Sequence, residues 1–417
     1  MMLSLSKNEN IESFESENNM KYIERKGYLD RLRGLKNTPD IKIITGIRRS
    51  GKSELMRAFI DDIKKTDTDA NIIYVDYYDL KYDDIKDYKR LNEYVEKAYI
   101  QNGTNYLFVD EVQLCNQFEK AINSLHNSRK YDIYITGSNA FLLSSDLTTL
   151  FTGRFIEIPV FPFSFCEFVQ YYSEEKKGIT ELFDEYVIKG GLAGSYEYKE
   201  EMDRIAYIKD VYTTIINRDL VEKYKLGDAA LLNHLAEFLM DNISNLSSPN
   251  GISKKLNGSR ISTNHVTVRK YMDHLCRAFM FYAMKRFDIR GKHYLETSEK
   301  YYLVDTGFRY ALLGTRNMDY GRAYENIVAI ELLRRGYEVY VGKLYQKEID
   351  FVAVKGSEKI YIQVADDITG EATLSREVDP LMRIRDAYPK MLLANTRHPE
   401  YQYEGIRIIN ISEWLLN

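Results

Sequence analysis

The sequence predicts an α/β protein built around a parallel sheet, on three observations. Short apolar, β-branched runs alternate with helical patterns through the first 160 or so residues, the texture of strands covered on both faces. A glycine-rich loop follows the first of these runs and opens a helix. Near SSPNG (247–251) the texture changes, and a basic stretch and a last α/β unit follow.

In chain order, residues 1–20 are polar and acidic and read as disordered, with no apolar run of the kind a secretory leader needs. An amphipathic helix is expected over 21–36, then strand IKIIT (41–45) and a helix from Lys52 to about Lys65. Strands follow at 71–78, 105–111, 131–138 and 155–160, with helices at 86–100 and 118–127 between them. Residues 163–240 are helical in pattern, broken by Gly190-Gly191. A short helix (252–257), a turn, a longer helix (264–279) and strands at 281–287 and 300–304 follow the order of a winged helix-turn-helix. The last unit reads as helix 321–335, strands 337–341, 348–354 and 359–365, helix 375–387 and strand 391–394. The expected divisions are a parallel-sheet α/β core at 21–165 that carries the glycine-rich loop, a helical region at 166–245, the winged helix at 246–315 and the final unit at 316–417.

The chain of 417 residues has net charge −4, which excludes a protein coated in basic charge. Residues 251–300 nevertheless hold eleven Lys and Arg against four Asp and Glu, a local net of +7. Three cysteines, far apart, match neither a disulfide framework nor a zinc spacing. No stretch reaches the uncharged length of a membrane span. A soluble, cytoplasmic protein with no membrane partner is expected.

The chemistry sits in GIRRSGKS (46–53). Gly46, four residues, then Gly51-Lys52-Ser53 lie between a strand and a helix. That context lets the loop N–H groups of Gly46, Ile47, Arg48, Arg49, Ser50 and Gly51 converge on phosphate at a helix N-terminus. Lys52 would reach the β- and γ-phosphate oxygens and Ser53 would offer its hydroxyl to Mg²⁺. YLFVDE (106–111) supplies the second half: Asp110 for Mg²⁺ and Glu111 to polarise the attacking water. The strand ending Thr136-Gly137-Ser138-Asn139 occupies the place of a γ-phosphate sensor, with Asn139 preferred. Arg154, just before the fifth strand, is a candidate arginine finger for a neighbouring subunit. ATP and Mg²⁺ are the expected ligands and a homo-oligomer the expected assembly.

Taken together, GIRRSGKS, FVDEVQ, ITGSNAFLLS, GRFIEIPVFPFSFCEF and INRDL (216–220) make the chain resemble, over about residues 21–410, the AAA-type P-loop ATPases of the AAA_14 family that carry a C-terminal DUF4143 region. The resemblance implies a five-stranded core of order 5-1-4-3-2. Arg218-Asp219 matches the family's Arg-Asp pair, a pair with no role derivable from sequence.

The winged-helix candidate places Lys254, Lys255 and Arg260 before its second helix, and His265, Thr267, Arg269 and Lys270 at that helix's start. Lys285, Arg286, Arg290, Lys292 and His293 lie in or near the wing. Basic residues so placed suit duplex DNA, and a protein-docking role is the competing reading. The resemblance further implies a restriction-endonuclease-like, PD-(D/E)XK, last unit. Glu325, Asp350 and Gln363 would be its ligand positions, but Ala365 stands where a lysine belongs. Only Lys347 or Lys359, if brought inward, would replace it. The expectation is a degenerate nuclease-like unit on an ATP-driven, DNA-associated regulator. An active ATP-dependent nuclease and a nucleotide-dependent scaffold for protein partners are the rivals.

Overall fold

The computed structural model describes residues 22–137, 151, 153–259, 261–291, 293–315 and 319–417. Its first layer is the expected sheet. Strands β1 (Ile41–Thr45), β2 (Ala70–Asp76), β3 (Thr104–Asp110), β4 (Tyr131–Thr136) and β5 (Phe155–Pro159) run parallel in the order β2-β3-β4-β1-β5. β1 is buried at all five positions because both faces are covered. Helices α1 (Lys26–Leu35) and α2 (Lys52–Thr66) pack Leu29, Leu55 and Phe59 on one face against Tyr106, Phe108 and Tyr134. α3 (Tyr88–Lys97) and α4 (Phe118–Asn127) pack Leu91, Val95 and Ile122 on the other against Leu107 and Val109. The period of two along β3 sends its side chains alternately to the two cores. Lys42, fully buried within β1, is neutralised by Asp132 at 2.5 Å and also donates to the Thr38 carbonyl at 2.7 Å.

The helical region contains α5 (Phe165–Tyr171), α6 (Ile179–Lys189), α7 (Glu201–Thr214) and α8 (Ala229–Asp241). α7 runs on into a π-wound stretch, Ile215–Glu222. The break at Gly190-Gly191 has a steric cause. Asp305 lies so close that a Cβ at Gly190 would sit 1.9 Å from its Oδ1, and the Gly191 N–H donates to its Oδ2 at 2.5 Å.

Then come β6 (Leu246–Ser247), α9 (Pro249–Gly258), α10 (His265–Arg277), β7 (Phe281–Asp288) and β8 (His293–Leu303). α11 (Thr306–Leu313) and α12 (Tyr320–Arg334) lead to β9 (Glu338–Leu344), β10 (Lys347–Lys355) and β11 (Glu358–Ala365). The chain ends with α13 (Glu371–Met382), β12 (Lys390–Ala394), β13 (Tyr401–Tyr403), β14 (Ile406–Asn410) and α14 (Ile411–Leu416). The β7–β8 hairpin does not stand apart from the last unit. β7 pairs in parallel with β9, so one nine-stranded sheet runs β13-β14-β12-β11-β10-β9-β7-β8-β6. Among the described residues no helix is long and apolar enough to cross a membrane.

Candidate functional site

The loop 46–53 leaves the C-terminal end of β1 and turns into α2. Its glycines are required by space and backbone. A Cβ on Gly46 would meet the Val160 carbonyl oxygen at 2.1 Å, and Gly51 takes φ +88° at the N-cap of α2. Arg49 also sits in the left-handed region, at φ 66°. The Lys52 ammonium is folded back onto the loop, donating to the carbonyls of Gly46 at 3.0 Å and Ile47 at 2.9 Å. Burial pushes it down to about 8, against the pull of Glu111 and Asp110.

Asp110 and Glu111 stand at the end of β3, both buried. Burial raises the Asp110 carboxyl, while hydrogen bonds from Thr136 and Ser53 oppose the rise. Ser53 and Asp110 therefore face each other across the site. Glu111 adopts φ 53°, its N–H donates to the Thr136 hydroxyl at 2.9 Å, and its carboxylate accepts from Gln113. The hydroxyl and carboxylate are hard oxygen donors, the kind Mg²⁺ takes alongside substrate phosphates. Among the described residues no group of three or more His, Cys, Asp or Glu side chains is placed to hold a metal alone.

Ser138 and Asn139 lie outside the described residues. Arg154 is exposed at the N-terminal end of β5, where Phe155 pairs with Ile41, and donates to Asn127 at 2.8 Å. The loop leaves the opposite end of the same strand pair, beyond Thr45 and Pro159. Four residues of strand, about 13 Å, separate the two ends. Arg154 therefore faces away from its own site.

Two residues hold the loop, one that sequence reasoning missed and one that it noticed in the Arg218-Asp219 pair without a role. Arg25 donates to the Ser50 carbonyl at 2.9 Å and the Phe161 carbonyl at 3.0 Å, and pairs with Glu167 at 2.7 Å. Burial works to raise the Glu167 carboxyl, but the Arg25 guanidinium outweighs it and holds it below the usual range. Glu167 also closes a capping box with Ser164 at the start of α5, which gives PFSFCEF its structural task. Asp219 is the second. It pairs with Arg48 through both oxygens, at 2.8 and 3.0 Å. Arg218 beside it places its guanidinium 5.9 Å from the Tyr78 ring.

α10 carries the basic face. His265, Arg269 and Lys270 are exposed, and with Asp273 and Arg277 they line a groove of about 330 Å³. His274 stacks on Tyr224 at 4.0 Å, and burial pushes it down to about 4, so it stays neutral. Thr267 is half-buried and its N–H donates to the Asn264 cap, a helix-starting task. Lys254, Lys255 and Lys285 are exposed, and Arg286 is half-buried. Arg290 lies on the Tyr345 ring at 5.0 Å, so the loop between β7 and β8 leans on the last unit. Arg260, Lys292 and the His293 side chain lie outside the described residues.

In the last unit Glu325 and Asp350 do meet, but around a lysine from an unexpected place. Lys300, on β8, is buried with its ammonium 2.8 Å from Glu325, 2.7 Å from Glu348 and 3.7 Å from Asp350. Burial pushes Asp350 up to about 8, with the Glu325 charge adding to the rise and Lys300 opposing it. Gln363 accepts from the Asp350 N–H at 3.3 Å. Lys347 and Lys359 are not brought inward: they pair with Asp379 and Asp386. Their strand positions point them to helix α13 and its following loop, whereas β8 reaches the acids across the shared sheet.

The AAA_14 profile (AAA domain) matches residues 38–169, which span the loop and the paired carboxylates. The second matching profile, over residues 180–319, is a domain of unknown function, DUF8612, where DUF4143 was expected. An uncharacterized protein of Haemophilus influenzae is 38% identical over 398 residues, covering 94% of this chain and 98% of that protein. Uncharacterized protein MJ1544 of Methanocaldococcus jannaschii is 26% identical, covering 89% and 85%. Among solved structures, the Walker-type ATPase PABY2304 of Pyrococcus abyssi aligns with TM-score 0.47 and 16% identity, over 70% of this chain and 96% of that one. A 38%-identical relative matched over nearly its whole length places this chain in one family with that Haemophilus influenzae protein, and the part of the chain that holds Lys52, Asp110 and Glu111 matches the AAA domain profile AAA_14.

Proposed function

We propose that the chain binds and hydrolyses ATP and uses the cycle to rearrange its helical and C-terminal regions on duplex DNA. The observation that carries this reading is the convergence of Lys52 and Ser53, at the start of α2, with Asp110 and Glu111, at the end of β3, beside a loop in which Gly46 has no room for a side chain and Gly51 takes φ +88°. In it the loop N–H groups from Gly46 to Ser53 receive the phosphates, and Lys52 turns from the loop carbonyls to the β- and γ-oxygens. Ser53 and Asp110 hold Mg²⁺, which neutralises charge on the phosphates when bound. Glu111, fixed through its N–H and Gln113, orients and polarises the water. Asn139 contacts the γ-phosphate. Arg154 serves a neighbour's site in a homo-oligomer, since it faces away from its own. DNA contact falls to α10, whose exposed His265, Arg269 and Lys270 offer phosphate-binding groups at the head of a helix.

The test is ATP turnover by the full chain with and without duplex DNA. Turnover raised by DNA supports the reading. Turnover indifferent to DNA moves α10 to the protein-docking class, and its absence counts against the ATPase. Glu111→Gln should bind ATP while hydrolysing it about 10²–10⁴-fold more slowly. Full turnover in that variant removes Glu111 from the mechanism.

A second reading, an ATP-dependent nuclease, is favoured by the position of Lys300 among Glu325, Glu348 and Asp350. Here its ammonium is read as an internal cation that compensates the acids, in a degenerate nuclease-like unit. Plasmid and linear duplex should survive incubation with Mg²⁺ or Mn²⁺ and ATP. Cleavage that disappears in Asp350→Ala would establish the nuclease.

A further inference from the structure

Arg48 is the third residue of the phosphate-binding loop, yet its guanidinium is already engaged. Nε and Nη2 hold both oxygens of Asp219, and Nη1 donates to the Tyr78 hydroxyl at 3.2 Å. Asp219 is buried, and it sits within the π-wound stretch Ile215–Glu222 that ends the long helix begun by α7. Stretches wound this way are rare inside helices and mark places where a helix departs from its regular ladder for a task. Arg48 and Asp219 both lie close enough to Lys52 to affect its charge, so the pair borders the space a polyphosphate would fill. Arg49, the next loop residue, acts on Tyr207 of the same long helix. The loop is thus fastened to helix 201–222 through a carboxylate that holds one of the loop's own cations.

Resting on the nucleotide reading above, we propose that the Arg48–Asp219 pair is a latch released by a nucleoside triphosphate, whose terminal phosphate competes with the Asp219 carboxylate for Arg48. An incoming anion repels Asp219 and offers Arg48 the same bidentate geometry of two oxygens. Once Arg48 turns to phosphate, the π-wound stretch loses its tie to the loop. The far end of the same helix is bonded to the C-terminal half, through Glu201 and the Tyr310 hydroxyl of α11. α11 leads into α12, which carries Glu325. Release at Asp219 therefore acts on the element that joins the nucleotide site to the rest of the chain.

Competition has a sign that simple damage lacks: removing the competitor tightens binding. The experiment is calorimetric titration of the full chain with Mg²⁺ and a non-hydrolysable ATP analogue. Wild type, Asp219→Asn, Arg48→Met and the double variant are compared, with circular dichroism to confirm folding. Asp219→Asn should bind about tenfold more tightly, an ordinary size for coupling between sites. Arg48→Met should bind more weakly, and Asp219→Asn should give no gain in its presence. Amide exchange over 215–226 should rise when the analogue binds wild type. Should Asp219→Asn fail to fold, Tyr78→Phe removes one bond to Arg48 and should shift affinity the same way by less. Folded Asp219→Asn binding no more tightly than wild type, or exchange over 215–226 falling on binding, would overturn the latch alone. Failure of wild type to bind the analogue would count against the nucleotide reading and take the latch with it.

Discussion

Lys52 and Lys300 are both buried lysines beside acidic side chains, and their surroundings move them in opposite directions. Lys52 is bonded to two loop carbonyls, its acids stand farther off, and burial pushes it down to about 8. At Lys300 burial also works to lower the ammonium, but Glu325, Asp350 and Glu348 outweigh it and hold it above the ordinary lysine range. The first cation is only partly compensated by what surrounds it, the condition of a site that gains from an arriving anion. The second already has more negative charge around it than it can balance. Likeness of composition, a lysine with carboxylates, therefore does not imply likeness of role. The distance at which the carboxylates stand decides it.

The sharpest way to break the comparison is Lys52→Ala. ATP hydrolysis should be abolished, because Lys52 is the cation assigned to the β- and γ-oxygens, whereas Arg48 is tied to Asp219 until the terminal phosphate draws it away. Normal turnover in a malachite-green assay would dismiss the assignment. Lys300→Met should instead act on stability. Removing the one cation from a buried acidic group costs about 3–5 kcal/mol near neutral pH, measured by urea unfolding. The pH dependence follows from Asp350, whose folded carboxyl is pushed up to about 8 from an ordinary 3.8. The folded chain then holds more protons than the unfolded one. That contribution to stability is fully present below about pH 4 and is lost as pH rises through about 8. The variant's deficit should accordingly be smallest in mild acid, and a deficit independent of pH would show that the acids do not titrate as a group. Lys52 gives a milder effect. ATP affinity should be level below about pH 8 and weaken above it as the nucleotide-free ammonium loses its proton. The smallest effect belongs to α10. Neutralising Arg269 and Lys270 should each lower the slope of log affinity against log salt for duplex DNA by about one. Arg290→Gln should change it less, since that side chain lies on Tyr345. Equal slopes for all three would remove α10 from the interface.

The candidate nucleotide site could be proposed from the sequence because its parts are local. A strand, a glycine loop, Lys52 and Ser53 lie within a dozen residues, and Asp110-Glu111 follow an apolar run of their own. The sheet order came with the family resemblance, and the elements lie close to where periodicity put them. The long-range partners were not legible. Arg25 meets Glu167 across 142 positions and Arg48 meets Asp219 across 171, and nothing in either local pattern announces the other. Lys300 escaped notice because it stands in a basic stretch that reads as solvated surface, whereas pairing of β7 with β9 turns its strand inward. A closing pair of strands, β13 and β14, and the last helix also went unseen, being only three to six residues each.

That β7–β9 pairing also governs how the chain can be divided. β9 covers the outer edge of β7 over Arg286, Phe287 and Asp288. A fragment ending near Gly314 would keep α9, α10 and the hairpin but uncover that edge, leaving backbone donors and acceptors open to any other strand. Such a piece should self-associate, whereas a piece beginning at Leu246 and running to the C-terminus keeps every strand of the sheet paired. The same constraint acts on exchange of parts: a hairpin β7–β8 moved into a relative needs a β9 that pairs with it, so the stretch carrying α10 and the last unit behave as one part.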